Sequence, residues 1–593
     1  MVIKEFVQEG SQIILHTDGE ICNEKRELLH SKGFEVVINL FIDNLRNYDS
    51  PLLHSIGLEL NTKNDRNKLI NILRTICEYP LDQIADILPQ NDYLLQPSHR
   101  RELLRFVEML YDFWRSFSRF MVLHSQSGSS SFDQRPYRIF NETLEALTHL
   151  VRSVYRDTCE NITGKHPRIY RQVAAGCNVG IIVVPMKTVF SDEYQNILGK
   201  VPFIRQVWID PPLIIDPPMN TRTGQFQKVD KNPLLGLSLK TERWVCYPAK
   251  VGNLIIFVYF HQHFMNLGCS LTNLFELATD EQIEAGPDAL YLYGVPSSHL
   301  SDFGDLPTIF YDDIKNNIMV AAVPQEDRFG YFGYIKKMIL TLHNIIMMKR
   351  GLMPYHGAMV HLLFRNNQAA TILLIGDTAA GKSETLEAFR SLGKESIREM
   401  RIIADDMGSI ERVDDERVIG YGTEIGAFIR LDDLQHGYAF GQIDRSIIMS
   451  PHKTNARVVL PVTTIDEITC GYPIDYVFYA NNYDVVDENH PVIEQIHTFS
   501  EALKIFREGA VMAKGTTTAK GLVHSYFANI FGPPQYKDLH EELAIKTFQT
   551  IFNAGVFVGQ MRTRLGIPGY ETKGPEEAAR ALLNIISGEK REN

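Results

Sequence analysis

Eight residues, 376–383, place the strongest constraint on how this chain can fold. They read Gly-Asp-Thr-Ala-Ala-Gly-Lys-Ser, and they stand between an apolar run at 371–375 and a helix-forming stretch at 384–389. A glycine-rich loop between a strand and a helix turns its backbone N–H groups inward, and the helix N-terminus adds positive potential. The order of residue types is that of a phosphate-binding loop, which predicts nucleotide binding.

Two side chains of this motif suit a bound nucleotide. Lys382 is expected to neutralise the β- and γ-phosphates, and Ser383 to hold the divalent cation that accompanies them. A chance match to this spacing in a chain of 593 residues is rare, about one in fifty. The predicted nucleotide-binding residues are Gly376, Asp377, Thr378, Ala379, Ala380, Gly381, Lys382, Ser383 and Glu384.

Composition limits the classes of partner. The chain has 60 Lys and Arg against 72 Asp and Glu residues, a net charge of −12, which argues against broad binding to nucleic acid or to an anionic membrane. Its seven cysteines are scattered without a Cys-x-x-Cys pair, which is typical of a reducing compartment. Neither a signal peptide nor a membrane-spanning run is evident. We therefore expect a cytoplasmic protein.

The texture of the chain changes along its length, and 593 residues are too many for a single core. Residues 1–160 are predicted to be a mostly helical N-terminal extension, with a linker-like segment at 126–131. Residues 161–330 alternate short β-like runs with turns, and residues 331–593 alternate strands with helices. The predicted fold class is mixed α/β. In the last part, strands are predicted at 359–364, 371–375, 401–404, 458–461 and 476–479.

Charged residues stand at the ends of predicted elements on both sides of the loop. Asp405 and Asp406 follow an apolar run, a position where carboxylates commonly meet the cation of a bound nucleotide. Lys337 lies on the polar side of a helix predicted over 334–349, and His356 precedes another strand. An isolated acidic pair is usually a solvated turn and a lone histidine is usually structural. Their combination with a phosphate-binding loop favours a functional site.

The order of these motifs resembles that of phosphoenolpyruvate carboxykinase, with a secondary similarity to HPr kinase. The motifs, in carboxykinase order, are Tyr-Phe-Gly-Tyr-Ile-Lys-Lys at 331–337, His-Gly at 356–357, the loop, Asp-Asp at 405–406 and Thr-Asn-Ala-Arg at 454–457. Stretches at 474–480, 508–515 and 531–534 are similar to its C-terminal region. The resemblance covers 300–590 well and 160–300 weakly. It implies a two-lobed fold, with a substrate domain at 161–330 and a P-loop nucleotide- and metal-binding domain at 331–593.

The resemblance also implies roles for single residues. One divalent cation would be bound by Lys337, His356 and Asp406, and Mn²⁺ would suit these nitrogen ligands better than Mg²⁺. The cation of the nucleotide would be served by Ser383 and Asp405. Transfer itself would be supported by Lys382, Asp405, Arg457 and Lys336. Tyr331 would line the substrate pocket, and Glu424 is a weaker candidate for a role near the phosphates.

Two departures from the carboxykinase pattern bear on the acceptor. Ser383-Glu384 stand where carboxykinases have two threonines, and the string Gly-Lys-Ser-Glu-Thr is similar to HPr kinase, which phosphorylates a protein serine. Carboxykinases bind the substrate carboxylate with an arginine in a Thr-Gly-Arg motif, whereas this chain has Thr163-Gly164-Lys165. Lysine keeps the charge but loses the bidentate geometry. Lys165 and Arg168 are the predicted substrate contacts, and Arg171 or a different acceptor is the alternative.

The leading prediction, from the resemblance, is a metal-dependent carboxykinase-type enzyme that uses ATP or GTP, with Mg²⁺ and Mn²⁺. It would phosphorylate the enolate left by decarboxylation of oxaloacetate, a small anionic substrate, or run the reverse reaction. A second is an HPr kinase-like enzyme that phosphorylates another small molecule or a protein hydroxyl, with Asp405 as the general base. A third is a nucleotide-binding regulatory protein with little turnover. The sequence leaves the oligomeric state and the choice of nucleotide base open.

Overall fold

The computed structural model describes residues 3–18, 22–55, 60–88, 94–125, 135–305, 307–393, 396–431, 442–513 and 521–587. The chain divides into two compact units: unit 1 is Met1–Pro185 with Pro202–Leu213, and unit 2 is Met186–Val201 with Ile214–Asn593. The structure is mixed α/β, which confirms the predicted class. The domain boundaries at 160 and 330 stay a prediction. The linker at 126–131 and the last two residues of the 508–515 stretch lie outside the described residues.

Unit 1 combines a helical layer with a sheet. Its described helices are α1 (Lys25–Leu29), α2 (Lys32–Asn47), α3 (Leu52–Ser55), α4 (Lys63–Glu78), α5 (Ile84–Ile87), α6 (Pro97–Ser116) and α7 (Arg135–Thr163). Polar caps start two of them: Ser31 Oγ accepts a hydrogen bond from Phe34 N, and Thr62 Oγ1 accepts one from Asp65 N. The apolar faces of α2, α4 and α6 pack into one core around Phe41 and Phe106.

The sheet of unit 1 has the strand order β1-β2-β3-β4-β5. Its strands are β1 (Ile3–Glu9), β2 (Gln12–Thr17), β3 (Ser118–His124), β4 (Val179–Val184) and β5 (Phe203–Ile209). Strands β2, β3 and β4 pair in parallel, and all six residues of β2 and of β4 are buried. A strand buried on both faces is a continuous apolar run, as residues 179–184 are.

One sheet of unit 2 has the order β8-β9-β10-β12-β11-β7. Its strands, in chain order, are β7 (Gln227–Val229), β8 (Trp244–Val251), β9 (Leu254–His261), β10 (Ala289–Val295), β11 (Ile309–Asp313) and β12 (Ile318–Pro324). The short strand β6 (Leu213–Ile215) precedes them in the chain and is not part of this sheet. Three helices belong to this part: α8 (Asp192–Leu198), α9 (Met265–Cys269) and α10 (Asp280–Ala285). The apolar runs at 254–260 and 318–323 are strands, as the sequence predicts.

The second large sheet of unit 2 has the order β21-β17-β16-β13-β14-β22-β26-β23, and β15 pairs with β13. Its strands are β13 (Met353–Phe364), β14 (Ala369–Ile375), β15 (Ile397–Ala404), β16 (Met407–Arg412), β17 (Val418–Gly422), β21 (Tyr472–Pro473), β22 (Tyr476–Asn481), β23 (Ile493–Gln495) and β26 (Phe557–Arg562). Smaller pairings involve β18 (Gly426–Arg430), β19 (Ile447–Met449), β20 (Arg457–Pro461), β24 (Ala510–Ala513) and β25 (Gly521–His524). All five strands predicted in this part of the sequence are present.

Helices complete unit 2 and position the site residues. They are α11 (Phe332–Lys349), α12 (Lys382–Leu392), α13 (Ile465–Thr469), α14 (Phe499–Glu508), α15 (Lys537–Asn553) and α16 (Lys573–Ser587). Helix α11 is the helix predicted at 334–349, and most of its residues are buried on every side. Helices α12 and α16 share a core with β14 around Phe389 and Leu582. Among the described residues, no helix has both the length and the apolar character needed to cross a bilayer.

Candidate phosphate and cation site

Three parallel strands bring loops from distant parts of the sequence to one edge of the larger sheet. Strands β14, β22 and β26 pair in parallel, so their carboxyl ends lie side by side, where ligands of α/β sheets commonly bind. The loop at 376–381 follows β14. Asn482, after β22, donates from Nδ2 to Ala379 O at 2.8 Å, and Thr563, after β26, donates from Oγ1 to Ala380 O at 2.7 Å. These two side chains fix the loop to its neighbours.

Antiparallel strands add the histidine and the aspartates. Strand β13 runs antiparallel to β14, so the first residues of β13 lie beside the end of β14, and Gly376 N donates to His356 O at 3.1 Å. Strand β15 runs antiparallel to β13 and ends at Ala404, opposite Met359. His356 therefore lies next to the loop, and Asp405 and Asp406 follow β15 at the same edge.

The backbone of the loop depends on small residues. Ala379 and Gly381 have left-handed φ angles of 65° and 92°. A Cβ atom at Gly381 would lie 2.7 Å from Thr563, so glycine is required there for both conformation and space. Helix α12 begins at the next residue, and the N–H groups of a first helical turn have no partner within the helix. Such a turn can receive an anion.

Lys382 bends back across its own loop. Its Nζ donates to Gly376 O at 2.7 Å and to Asp377 O at 3.0 Å, and only 7% of the residue is exposed. Ser383 forms a side-chain hydrogen bond with Asp405. Burial and the neighbouring charge of Asp406 raise the pKa of Asp405 above its ordinary value. The loop lysine, the loop hydroxyl and one aspartate are therefore neighbours.

The buried His356 pairs with the half-buried Asp406. Nδ1 of His356 contacts Ala528 O, which can only accept, so Nδ1 carries a proton. Nε2 lies 3.0 Å from Asp406 Oδ1. Because a lone pair on Nε2 would repel the carboxylate, a second proton or another cation must lie between these two atoms. The arrangement is that of a histidine oriented by a backbone carbonyl, as metal-binding histidines commonly are.

Lys336 joins this pair from α11. Its Nζ donates to Asp406 Oδ2 at 2.7 Å and lies 3.2 Å from Glu424 Oε1. Burial lowers the pKa of Lys336, but Asp406 and Glu424 outweigh it and the net shift is upward. Burial raises the pKa of Asp406, but Lys336 and His356 hold it well below its usual range. At neutral pH the ammonium and the Asp406 carboxylate are both charged.

Glu424 is the least satisfied member of the cluster. Its side chain is fully buried, and within the described part of the chain neither carboxylate oxygen accepts a hydrogen bond. Burial raises the pKa of Glu424 to about 8, since the attraction of Lys336 only partly offsets burial and the repulsion from Asp406 and Asp405. Glu424 is therefore mostly protonated at neutral pH.

The pKa of Lys337 is shifted downward, whereas that of Lys336 is shifted upward. Burial and the positive charge of Arg222 lower the pKa of Lys337 to about 8, so its amine loses a proton far more easily than that of an ordinary lysine. Its Nζ lies 4.7 Å from the centre of the Phe531 ring. A neutral amine can bind a metal ion, whereas an ammonium cannot.

Of the three residues predicted to bind a divalent cation, His356 and Asp406 have a spacing that suits one. The 3.0 Å between His356 Nε2 and Asp406 Oδ1 equals the spacing of about 3 Å between adjacent ligands of a small octahedral cation. Across the described ranges, no group of three or more His, Cys, Asp or Glu side chains is arranged to hold a metal ion. A cation bound at this pair would therefore need a ligand of another type, such as the Lys337 amine.

A cationic and aromatic group adjoins the cluster. Tyr331 forms a side-chain hydrogen bond with Arg457, and the Arg457 guanidinium lies 5.3 Å from the centre of the Phe428 ring. The Tyr331 ring lies 6.1 Å from the same Phe428 ring. Burial raises the pKa of Tyr331, although Arg457, Lys336 and Arg222 oppose the shift. The structure thus brings Tyr331, Arg457 and Lys336 together.

Arg222 is a cation that the sequence interpretation missed. It acts electrostatically on both Tyr331 and Lys337, and burial lowers its pKa. Its segment is held in place because Asn455 Nδ2 donates to Asn220 O at 2.7 Å, and Thr223 N donates to the Tyr334 hydroxyl at 3.1 Å. The available signal was the string Thr-Arg-Thr-Gly at 221–224, a basic residue beside a glycine turn.

Other site residues also lacked a sequence signal. Asn482, Thr563 and Phe428 are ordinary residue types whose importance comes only from the strands that they follow or belong to. Lys165 and Arg168, the predicted substrate contacts, lie in unit 1 and are exposed. Their role in substrate binding stays a prediction.

Comparison with known proteins gives no family assignment: no protein-family model and no curated protein matches the chain. The resemblance to carboxykinases rests on the motifs and spacings described above. What it implies about activity is therefore proposed below.

Proposed function

We propose that unit 2 transfers the γ-phosphoryl group of ATP or GTP to the oxygen of a small anionic acceptor, on a two-lobed carboxykinase fold with a P-loop nucleotide site. The simplest form is the carboxykinase reaction, in which oxaloacetate and ATP give phosphoenolpyruvate, ADP and CO₂. One observation carries the proposal: the buried residues Lys336, His356 and Glu424 and the half-buried Asp406 form a charged cluster next to the loop that holds Lys382. Buried charges with strongly shifted pKa values concentrate at functional sites.

The nucleotide would bind at the loop and the first turn of α12. In the structure Lys382 Nζ is bonded to two carbonyl groups of its own loop, so a phosphate would exchange these contacts for its own oxygens. Ser383 and Asp405 would hold the Mg²⁺ of the nucleotide. Asn482 and Thr563 fix the shape of the loop before the nucleotide arrives, which lowers the entropy lost on binding.

A second cation, preferably Mn²⁺, would be held by Lys337, His356 and Asp406. When bound, it would polarise the acceptor oxygen and lower the energy of the enolate. The residues themselves contribute in other ways. Lys336 holds Asp406 in place, and the Ala528 carbonyl fixes the proton on Nδ1 of His356, which leaves Nε2 facing the site.

The chemistry requires positive charge rather than a base. Loss of CO₂ from oxaloacetate breaks a carbon–carbon bond and leaves an enolate, whose oxygen attacks the γ-phosphorus while the bond to the ADP oxygen breaks. Lys336, Arg457 and Arg222 supply fixed positive charge beside Tyr331, where the negative charge of the acceptor and of the moving phosphoryl group would be stabilised. Arg222 in unit 2 is a further candidate for the substrate carboxylate, besides Lys165 and Arg168.

A protein or small-molecule hydroxyl is the second candidate acceptor, because Asp405 is suited to act as a base. A hydroxyl must lose a proton during transfer, and burial together with Asp406 raises the pKa of Asp405. The Ser383-Glu384 pair, similar to HPr kinase, points the same way. In either reaction we expect the protein to act in the cytoplasm.

The acceptor can be tested directly. The purified chain is incubated with oxaloacetate, ATP or GTP, Mg²⁺ and Mn²⁺, and phosphoenolpyruvate is measured over time. We expect nucleotide-dependent phosphoenolpyruvate formation that Lys382→Ala abolishes. Lys546→Ala is the matched control, since Lys546 forms only an exposed ion pair with Glu542.

Three other outcomes are informative. Transfer of label from γ-labelled ATP to a protein, without phosphoenolpyruvate, would replace the carboxykinase reaction by the hydroxyl kinase. Nucleotide binding without turnover of any acceptor would favour a regulatory protein. A chain that binds neither ATP nor GTP would overturn all three readings.

A further inference from the structure

Unit 1 contains a cavity that the proposed function does not use. Its volume is about 130 Å³, and it is lined by side chains from β1, β2, α1, α2, α4, α6 and α7. Native interiors are close-packed, and voids larger than a water molecule are few. A cavity of this size is close to the engineered one of about 150 Å³ that binds benzene in another protein.

The polar atoms of the lining are largely occupied within the fold. Ser31 Oγ caps α2, Thr158 Oγ1 donates to Val154 O at 2.7 Å, and Trp114 Nε1 donates to Ala175 O at 2.6 Å. Most of the remaining lining is aliphatic or aromatic. Ordered water needs two to four polar partners, so this cavity favours an apolar occupant over water.

Three large aromatic side chains line one part of the cavity. The rings of Tyr111 and Tyr155 stack with centroids 3.9 Å apart and planes 8° apart, and Trp114 follows on the same helix as Tyr111. Because each tyrosine ring covers one face of the other, at least one of them meets the cavity with its edge, and aromatic pairs also favour this edge-to-face arrangement. The aromatic side chains of the lining therefore favour a ring over a flexible alkyl chain.

The cavity is also accessible. Phe6, Leu28 and Tyr111 line it and are only half-buried, although each presents a large apolar surface. These residues come from β1, α1 and α6, and the cavity is partly open to solvent rather than enclosed.

We propose that unit 1 binds a small, largely apolar molecule with a single aromatic ring in this cavity, in contact with Tyr111, Tyr155 and Trp114. The site is separate from the proposed phosphoryl transfer and does not depend on it. Its natural ligand would be an aromatic metabolite of the size of a substituted phenol. A fatty acid is the competing occupant.

Binding can be followed with the complete chain. The chain has three tryptophans, and Trp114 lines the cavity, so 4-nitrotoluene, which quenches indole fluorescence, should give a saturable signal. Titration calorimetry with 4-ethylphenol and with octanoate distinguishes the two ligand classes. We expect 4-ethylphenol to compete with 4-nitrotoluene and to bind at least 10-fold more tightly than octanoate.

Filling the cavity provides the variant test. Val151→Phe adds volume at a half-buried lining position and should weaken 4-ethylphenol binding at least 10-fold while the thermal unfolding temperature is kept or raised. Leu147→Phe is the second filling variant if Val151→Phe does not fold. Ile87→Phe, at an exposed position of α5 outside the lining, is the matched control.

Two results would rule out a binding site here, and a third would rule out its aromatic ligand. The first is the absence of saturable binding of 4-nitrotoluene and 4-ethylphenol up to millimolar concentration. The second is unchanged 4-ethylphenol binding in a folded filling variant. Tighter binding of octanoate than of 4-ethylphenol would refute the aromatic assignment.

Discussion

At the scale of single residues, neighbouring lysines of the candidate site differ in how their charges are compensated. Lys336 has carboxyl oxygens of Asp406 and Glu424 within 3.2 Å and keeps its charge, whereas its half-buried neighbour Lys337 is repelled by Arg222 and has a pKa of about 8. Consecutive residues of one helix thus have opposite tendencies, because they face different surroundings. An ammonium for electrostatic stabilisation and an amine for metal binding can therefore come from adjacent positions.

Glu424→Gln is predicted to change how stability depends on pH. In the folded chain Glu424 keeps its proton up to a pKa of about 8, whereas in the unfolded chain a glutamate loses it near a pKa of about 4.3. Wild-type stability therefore includes a contribution that is complete below about pH 4.3 and is lost as pH rises through 8. Glutamine does not titrate, so the variant should gain relative to wild type across this window, by about 4–5 kcal/mol at pH 8.

Urea unfolding of both proteins at pH 5 and pH 8 measures this difference. Glu488→Gln, at an exposed position, is the control and should show the same shift at both pH values. A stability difference between Glu424→Gln and wild type that does not change with pH would mean that Glu424 is ionised in the native protein.

Arg119→Met is predicted to destabilise unit 1 by about 3 kcal/mol. Arg119 is 2% exposed, and its guanidinium donates to the carbonyl oxygens of Trp114, Arg115, Phe117 and Gly176. Burial lowers its pKa to about 10, which leaves it charged. It satisfies carbonyls at the end of α6, where positive charge is favourable. Methionine would fill the space but leave the carbonyls unpaired.

The denaturant midpoint of the unit 1 transition checks this prediction. Arg105→Met, on α6, is the control, because Arg105 is exposed and forms only a loose ion pair with Glu102. Equal midpoints for the two variants would refute a structural role for Arg119.

At the scale of elements, the sequence predicted individual strands and helices but not how the strands pair or which residues they bring into contact. The apolar run before Gly376 and the periodic stripe of α11 are local patterns, and both elements are present. The contacts of Asn482 and Thr563 with the loop arise because β22 and β26 lie parallel to β14, more than 100 residues away along the chain. Pairing of this kind depends on the whole fold, and single-sequence patterns contain little information about it.

The same reasoning applies to Arg222 and Phe428. Arg222 reaches the cluster only because Asn455 and Tyr334 hold its segment, and Phe428 does so only because β18 pairs with β20 next to Arg457. By contrast, Lys336, His356 and Asp406 could be named in advance because they occur in a motif order that resembles a known family. Local motifs thus identified the centre of the site, and tertiary contacts supplied its surroundings.

Gly381→Ala is predicted to weaken nucleotide binding at least 10-fold, because the loop must move. Its φ of 92° is unfavourable for alanine, and the new Cβ would lie 2.7 Å from Thr563. Gly351→Ala is a matched control: its φ is 88°, but nothing lies within 4 Å of its added Cβ. Titration calorimetry with ATP and Mg²⁺ measures both, and equal affinities in the two variants would show that the contact with Thr563 does not matter.

At the scale of the whole molecule, the two units each have a hydrophobic core of their own. Phe106 belongs to the core of unit 1, and Phe389 to a core of unit 2. A chain with separate cores need not unfold in one step, so a single free energy of unfolding is not assumed for it. Ligands can therefore assign transitions, because each stabilises the unit that binds it.

Calorimetric unfolding of the complete chain should separate the two proposed sites. ATP with Mg²⁺ at 100 times its Kd should stabilise unit 2 by about 2.7 kcal/mol, and 4-ethylphenol at the same ratio should stabilise unit 1 equally. Phe106→Ala removes a fully buried ring from unit 1 and should lower the free energy of unfolding of unit 1 by about 3–5 kcal/mol. Only the transition that 4-ethylphenol shifts to higher temperature should then move to lower temperature. Lys382→Ala should abolish the effect of ATP and leave that of 4-ethylphenol unchanged. A single transition whose temperature both ligands raise would instead show that the units unfold together. The Lys382→Ala and Val151→Phe variants would still distinguish the two sites, because each removes the response to one ligand only.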